Sequence, residues 1–195
     1  MTPKGQKTRI RIITEATELF FTEGLYNVTF QQIAQHTRLS TAAIYRHFKD
    51  MDELILEACK HWLGLFNAES EHELESVKRA DTQIKFYIQD HIVYASKNRS
   101  HDALLFGLYY YSMRTAEMLN LYQQIKERAL NKVRRIILLG NLDKSWNISD
   151  VQDVAENIHS LIVGEVIKTL IEPKAEIQMH RTDRIYAAVS KLLGL

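Results

Sequence analysis

The sequence predicts an all-α fold of about nine helices, an N-terminal three-helix unit followed by a larger helical region. Three observations carry this reading. The 195 residues include only 7 Gly and 2 Pro, and Leu, Ile, Ala, Glu and Lys are abundant, which favours helix over turn and sheet. Apolar residues recur three and four apart through most of the chain, and no stretch alternates as a half-buried strand would. Capping residues and glycines fall where those periodic stretches begin and end.

Taken in order, the first helix is expected over residues 7–23, with Ile10, Ile13, Ala16, Thr17 and Phe20 on one face and Gly24 as its stop. Thr29 caps a short second helix, Gln32 completes a capping box and Val28 can staple onto Ile33. After the polar turn of His36, Thr37, Arg38 and Leu39, Ser40 caps a third helix whose Ala43, Ile44 and Phe48 pack inward. A fourth helix starts at Asp50, and the acidic stretch 69–75 reads as its solvated end or a loop. A fifth covers about 81–97, a sixth starts near Ser100, and a seventh covers about 116–139 with Gly140 as its stop. Ser149 with Gln152 caps an eighth that Pro173 terminates, and a ninth covers about 176–193. The module boundary is placed at residue 49, giving segments 1–49 and 50–195.

The third helix has a second property. Thr41, Ala42, Tyr45, Arg46 and His47 lie on or near its outer surface. Small residues followed by aromatic and basic ones suit close approach to a major groove and supply donors there. Residues 1–49 carry Lys4, Lys7, Arg9, Arg11, Arg38, Arg46 and Lys49 against Glu15, Glu18 and Glu23, a formal +4. The whole chain is +1, which leaves −3 for residues 50–195. Positive charge is therefore gathered where a phosphate backbone would attract it.

The same stretch carries a family resemblance. Ala16, Leu19-Phe20, Gly24 through Thr29, Ile33-Ala34, Leu39-Ser40, Ile44 through Lys49 and Glu53-Leu54 fall in one ungapped run over residues 10–54. This run resembles the DNA-binding domain of the TetR/AcrR transcriptional repressors, with Tyr45, His47 and Phe48 as its most specific part. There are two departures: Ala42 stands where the family often has glycine, and Met51 where it usually has a phosphate-touching lysine. Lys49 is placed to cover part of that contact. The resemblance implies a ligand-responsive regulator, most simply a repressor released from a palindromic double-stranded DNA operator by a small-molecule inducer. DNA contacts would come from Thr29, Arg38, Ser40 and Lys49, from Tyr45 and His47 toward phosphate, and from Thr41, Ala42, Ala43 and Arg46 toward base edges.

The resemblance assigns the remaining helices too. In that family the middle helices surround an inducer pocket, which implies His61, Trp62, Phe66, Tyr87, His91, Phe106, Tyr109, Tyr110, Met113 and Tyr122 as lining. So many tyrosines are unusual for a dry core, because each buried hydroxyl needs a partner. The eighth and ninth helices are apolar nearly all round, so they are buried on several sides, in a core or at a subunit interface. The family pairs such helices as a four-helix bundle, which implies a homodimer held by Val154, Ile158, Leu161, Ile162, Ile185, Val189 and Leu192. The competing reading is a helical small-molecule or protein-interaction module without DNA function.

Other classes find little support. The eight histidines form no His-x-x-x-His pair and no His-Glu-x-x-His helix, and the single cysteine, Cys59, has no partner for a zinc site or disulfide. Phosphate-cradling loops and nucleophile elbows are missing, so neither an enzyme nor a cofactor is expected. The N-terminal residues lead into an amphipathic helix, not an apolar signal segment, and no apolar run reaches membrane-spanning length. A cytoplasmic protein with no membrane contact is the expectation.

Overall fold

The computed structural model describes residues 2–75, 78–97, 99–172 and 178–195, apart from the side chains of 64–75, 96–97, 99–103, 105, 170 and 178–179. Among the described residues there are nine α-helices and no strand: α1 (Pro3–Glu23), α2 (Phe30–Thr37), α3 (Thr41–Tyr45), α4 (Met51–Glu75), α5 (Ala80–Lys97), α6 (Arg99–Ser112), α7 (Ala116–Leu142), α8 (Val151–Ile171) and α9 (Gln178–Leu193). They form two compact units, one of residues 1–68 and 100–122 and the other of residues 69–99 and 123–195.

In the first unit α1 begins earlier than its periodicity suggests. Pro3 sits in the first turn, where its missing N–H costs nothing, and Thr2 caps the helix by accepting from the Gly5 amide. Its buried face is Ile12, Ile13, Ala16, Thr17, Leu19 and Phe20. Ile10, expected on that face, is 57% exposed. Gly24 ends the helix with a φ of +87°, a conformation that only glycine adopts without strain. Leu25, Val28, Phe30 and Ile33 continue the core, and α4 adds Leu54, Ile55, Ala58 and Cys59. Gly107 on α6 leaves room for Leu25, whose Cδ2 lies only 2.2 Å from where a Cβ would stand.

The second unit packs α5, α8 and α9 against one another. Ile84, Ile88 and Ile92 of α5 share a core with Val133, Ile136 and Ile137 of α7, Ile158 and Ile162 of α8, and Ile185 and Val189 of α9. Here two boundaries differ from the sequence reading. Helix α7 continues through Gly140 to Leu142. Gly140 is not a stop but a gap, because a Cβ there would lie 1.9 Å from the Trp146 ring. That ring turns back onto the helix and its Nε1–H donates to the Ile137 carbonyl at 2.8 Å. Asn141 then closes the loop with paired hydrogen bonds to Ile148, both 2.8 Å.

The cap of α8 is Asp150, which accepts from the Asp153 amide at 3.0 Å, and not Ser149. Gln152 turns instead to Glu156 and to Arg134. The acidic stretch 69–75 belongs to α4 as helix. Residues 173 and 176–177, expected to end α8 and begin α9, lie outside the described residues.

Candidate nucleic-acid interface

The putting together of α2 and α3 follows from local chemistry. Thr29 and Gln32 form the reciprocal capping box: the Gln32 amide donates to Thr29 Oγ1, and the Thr29 amide donates to Gln32 Oε1 at 2.8 Å. At the far end Arg38 takes a left-handed φ of +52°. Its amide donates to Gln35 O and the Leu39 amide to Ala34 O, so the chain reverses within two residues. Ser40 then accepts from the Ala43 amide at 3.2 Å and starts α3.

Helix α3 is only five residues long, too short to hold itself. Its inner side supplies the stability: Ile44 is fully buried, Phe48 is 1% exposed and Ala43 is 8% exposed. The outer side leaves Ala42, Tyr45, Arg46 and Lys49 exposed, with Thr41 and His47 half-buried and Arg38 and Ser40 exposed in the turn. The Tyr45 ring stands edge-on to Phe30, 4.8 Å between centroids, which fixes its direction. His47 Nδ1 is enclosed without a hydrogen-bond partner, so Nε2 is the nitrogen left for an outside acceptor. Among the ten residues expected at this interface, nine retain some exposure. Ala43 alone is buried, and it can meet a base edge only by allowing close backbone approach.

The ten inducer-pocket candidates fall into two groups. In the first unit, Phe106 and Tyr109 lie 6.4 Å apart and Tyr109 and Tyr122 lie 5.3 Å apart, ring to ring. Burial, with Tyr122 beside it, pushes the Tyr109 phenol up to about 12. Trp62 is buried and His61 half-buried, whereas Tyr110 and Met113 are exposed at 45% and 79%. The Phe66 side chain lies outside the described residues. In the second unit, the His91 ring packs on Tyr87 at 4.3 Å and its Nδ1 pairs with the Tyr87 carbonyl at 2.8 Å. Burial holds the His91 imidazole below its ordinary value, and it holds His159 down too, with the charges of His91 and Lys126 adding to the effect. Helical spacing alone could not have told these two groups apart.

Of the seven residues expected between subunits, Ile158, Ile162, Ile185 and Val189 are 0–5% exposed within the single chain, and Val154, Leu161 and Leu192 are half-buried. An open groove of about 330 Å³ runs along α8 and α9, lined by Ser160, Leu161, Gly164, Lys168, Arg184 and Ala188 among others. A Cβ at Gly164 would meet nothing within 4 Å. At the groove floor Glu165, 2% exposed, is neutralised by Arg181 Nε at 3.4 Å and Arg184 Nη2 at 2.6 Å. Among the described residues no cluster of His, Cys, Asp or Glu could hold a metal. Burial pushes the Cys59 thiol up to about 12, which leaves it inert. No helix among the described residues is long and apolar enough to cross a membrane.

Residues 12–58, which span the second half of α1, α2, α3 and the first turns of α4, match the family model described as bacterial regulatory proteins, tetR family. That stretch is similar to the DNA-binding part of the TetR family. A curated relative, the HTH-type transcriptional regulator HbdR of Aromatoleum sp. (strain CIB), is 33% identical over 72 residues. That match covers 37% of this chain and 31% of HbdR, so the chain spans under a third of this curated relative's length. The fold extends further than the sequence likeness. A transcriptional regulator from Saccharomonospora viridis, solved in complex with choline, has a TM-score of 0.82 at 20% identity over 97% of this chain and 96% of its own. AibR, solved with isovaleryl coenzyme A and operator DNA, has a TM-score of 0.69 at 14% identity over 95% and 98%. At these identities both likenesses show an all-α fold in common.

Proposed function

We propose that this chain is a TetR-type, ligand-responsive, DNA-binding transcriptional regulator, acting as a repressor released from a palindromic operator by a small-molecule inducer. The observation that carries the reading is the exposed row of Ala42, Tyr45 and Arg46, with Thr41 half-buried beside it, on and just after a helix whose opposite side is locked by Ile44 and Phe48. That is the geometry a groove-reading helix requires: small residues at its entry, donors beyond them, and no freedom to rotate. The excess positive charge of residues 1–49, set against the negative balance of residues 50–195, supports it. The operator DNA and small organic ligands bound by structural neighbours support both partners by analogy.

In this reading residues 1–49 are the DNA-binding domain and residues 50–195 the ligand-binding and dimerisation domain. A homodimer is supported by the groove on α8 and α9. Gly164 costs its helix about 1 kcal/mol relative to alanine, and among the described residues nothing lies within 4 Å of a Cβ there, which leaves room for close approach by a partner helix. The protein would act in the cytoplasm, without catalysis and without a cofactor.

The test is a gel-shift titration on a duplex selected from a random pool by the wild-type protein. Arg46→Ala should cost ~1–3 kcal/mol on that duplex and much less on unrelated DNA, because a base-edge contact is lost. Tyr45→Ala and His47→Ala should weaken binding to all sequences alike. Equal affinity of all four proteins would remove α3 from the interface.

A further inference from the structure

Two arginines of α1, Arg9 and Arg11, sit in the segment whose positive charge suggests attraction to DNA, yet their guanidinium groups face the protein. Arg11 Nη2 donates to the carbonyl of Thr37, the last residue of α2, at 2.7 Å. Arg9 is more heavily engaged. Its Nη1 donates to the His47 carbonyl. Its Nη2 pairs with Glu53 Oε1 at 3.1 Å and lies 3.8 Å from Glu57 Oε2. The guanidinium plane covers the Phe48 ring, 4.2 Å from its centroid. The other oxygen of Glu53 accepts from the Lys49 amide at 2.9 Å, and the Glu53 amide donates to Asp50 Oδ1 at 2.8 Å. One side chain on α1 therefore holds the turn that leaves α3 and, through Glu53, the first turn of α4.

We infer that Arg9 is a positioning residue for DNA recognition, fixing the direction of α3 on α4 without touching DNA itself. The inference rests on α3 being the reading helix. Three features point to it. The contacts fall on the link between α3 and α4, at His47 and Phe48, and on the first turns of α4, at Glu53 and Glu57, so they tie the link to α4. A planar fork reaches a carbonyl, a carboxylate and a ring face together, which the single point charge of a lysine cannot do. Two carboxylates already neutralise the guanidinium, so little of its charge remains for a phosphate.

Three variants, Arg9→Ala, Arg9→Lys and Glu53→Gln, are titrated on the wild-type-selected duplex, with circular dichroism and amide hydrogen exchange over residues 44–50. All three should stay folded and bind at least about tenfold more weakly, the size expected for losing hydrogen bonds to a charged group. Exchange at His47, Phe48 and Lys49 should quicken in each. A direct phosphate contact predicts the opposite pattern: Arg9→Lys keeps wild-type affinity, and Glu53→Gln, by removing a negative charge, binds more tightly. Either of those results, or unchanged exchange across the link, overturns the inference while leaving α3 as the reading helix. A wild-type protein that selects no duplex overturns both.

Discussion

Ile162→Glu is expected to unfold the second unit, not to separate two folded subunits. Ile162 is 2% exposed and belongs to an apolar core cluster with Ile88, Ile158, Ile185 and Val189. An uncompensated buried charge costs roughly 3–5 kcal/mol, a large part of the ~5–15 kcal/mol that stabilises a typical domain. Leu161, one residue earlier, is half-buried and lines the groove. Leu161→Glu is therefore expected to keep its helicity and melting temperature while sedimenting as a monomer. Sedimentation velocity and circular dichroism on the two variants check this. A folded monomer from Ile162→Glu would mean that its neighbours are less tightly closed than their burial indicates.

Gly140→Ala is the second large effect, and its sign is informative. Helix propensity alone favours alanine by about 1 kcal/mol at an interior position. The added methyl would sit 1.9 Å from the Trp146 ring, which must then leave its place. Displacing it loses the bond to the Ile137 carbonyl and the ring's burial. Overpacking of this kind costs ~1–3 kcal/mol beyond the lost hydrogen bond, so the net change is a loss of about 2–3 kcal/mol. In a chain of this size that is a fall of roughly 5–10 °C in melting temperature. A rise on thermal melting would show that Gly140 is only an unfavourable helix residue.

These two cases mark where the sequence is readable. The helix-turn-helix was legible because its signals are local: Thr29 reaches Gln32, Ser40 reaches Ala43, and Ile44 and Phe48 repeat at helical spacing. Spacing presents Gly140 as a stop, whereas its reason is a tryptophan six residues on, folding back over the helix. Ser149 and Asp150 are adjacent residues of equal capping ability, and spacing does not choose between them. For Ile158 and Ile162, periodicity shows that a face is covered but not whether the cover is another part of the chain or a second subunit. In sequence Arg9 reads as surface charge, since its partners lie 38 and 44 residues away. A basic residue one turn before the first buried position of an N-terminal helix, Ile12, is the signal available. The tyrosines of α6 and α7 and the Tyr87–His91 pair share a residue type without sharing a place, which sequence does not reveal.

The central claim is that α3 and its flanking cations meet a DNA backbone as paired heads. Its most direct test is the salt dependence of wild-type binding to the selected duplex. If each half of a dimer makes about four phosphate contacts, the logarithm of the association constant should fall against the logarithm of salt concentration with a slope of roughly −7. A slope near zero, or a protein that retains no duplex at low salt, would contradict the claim.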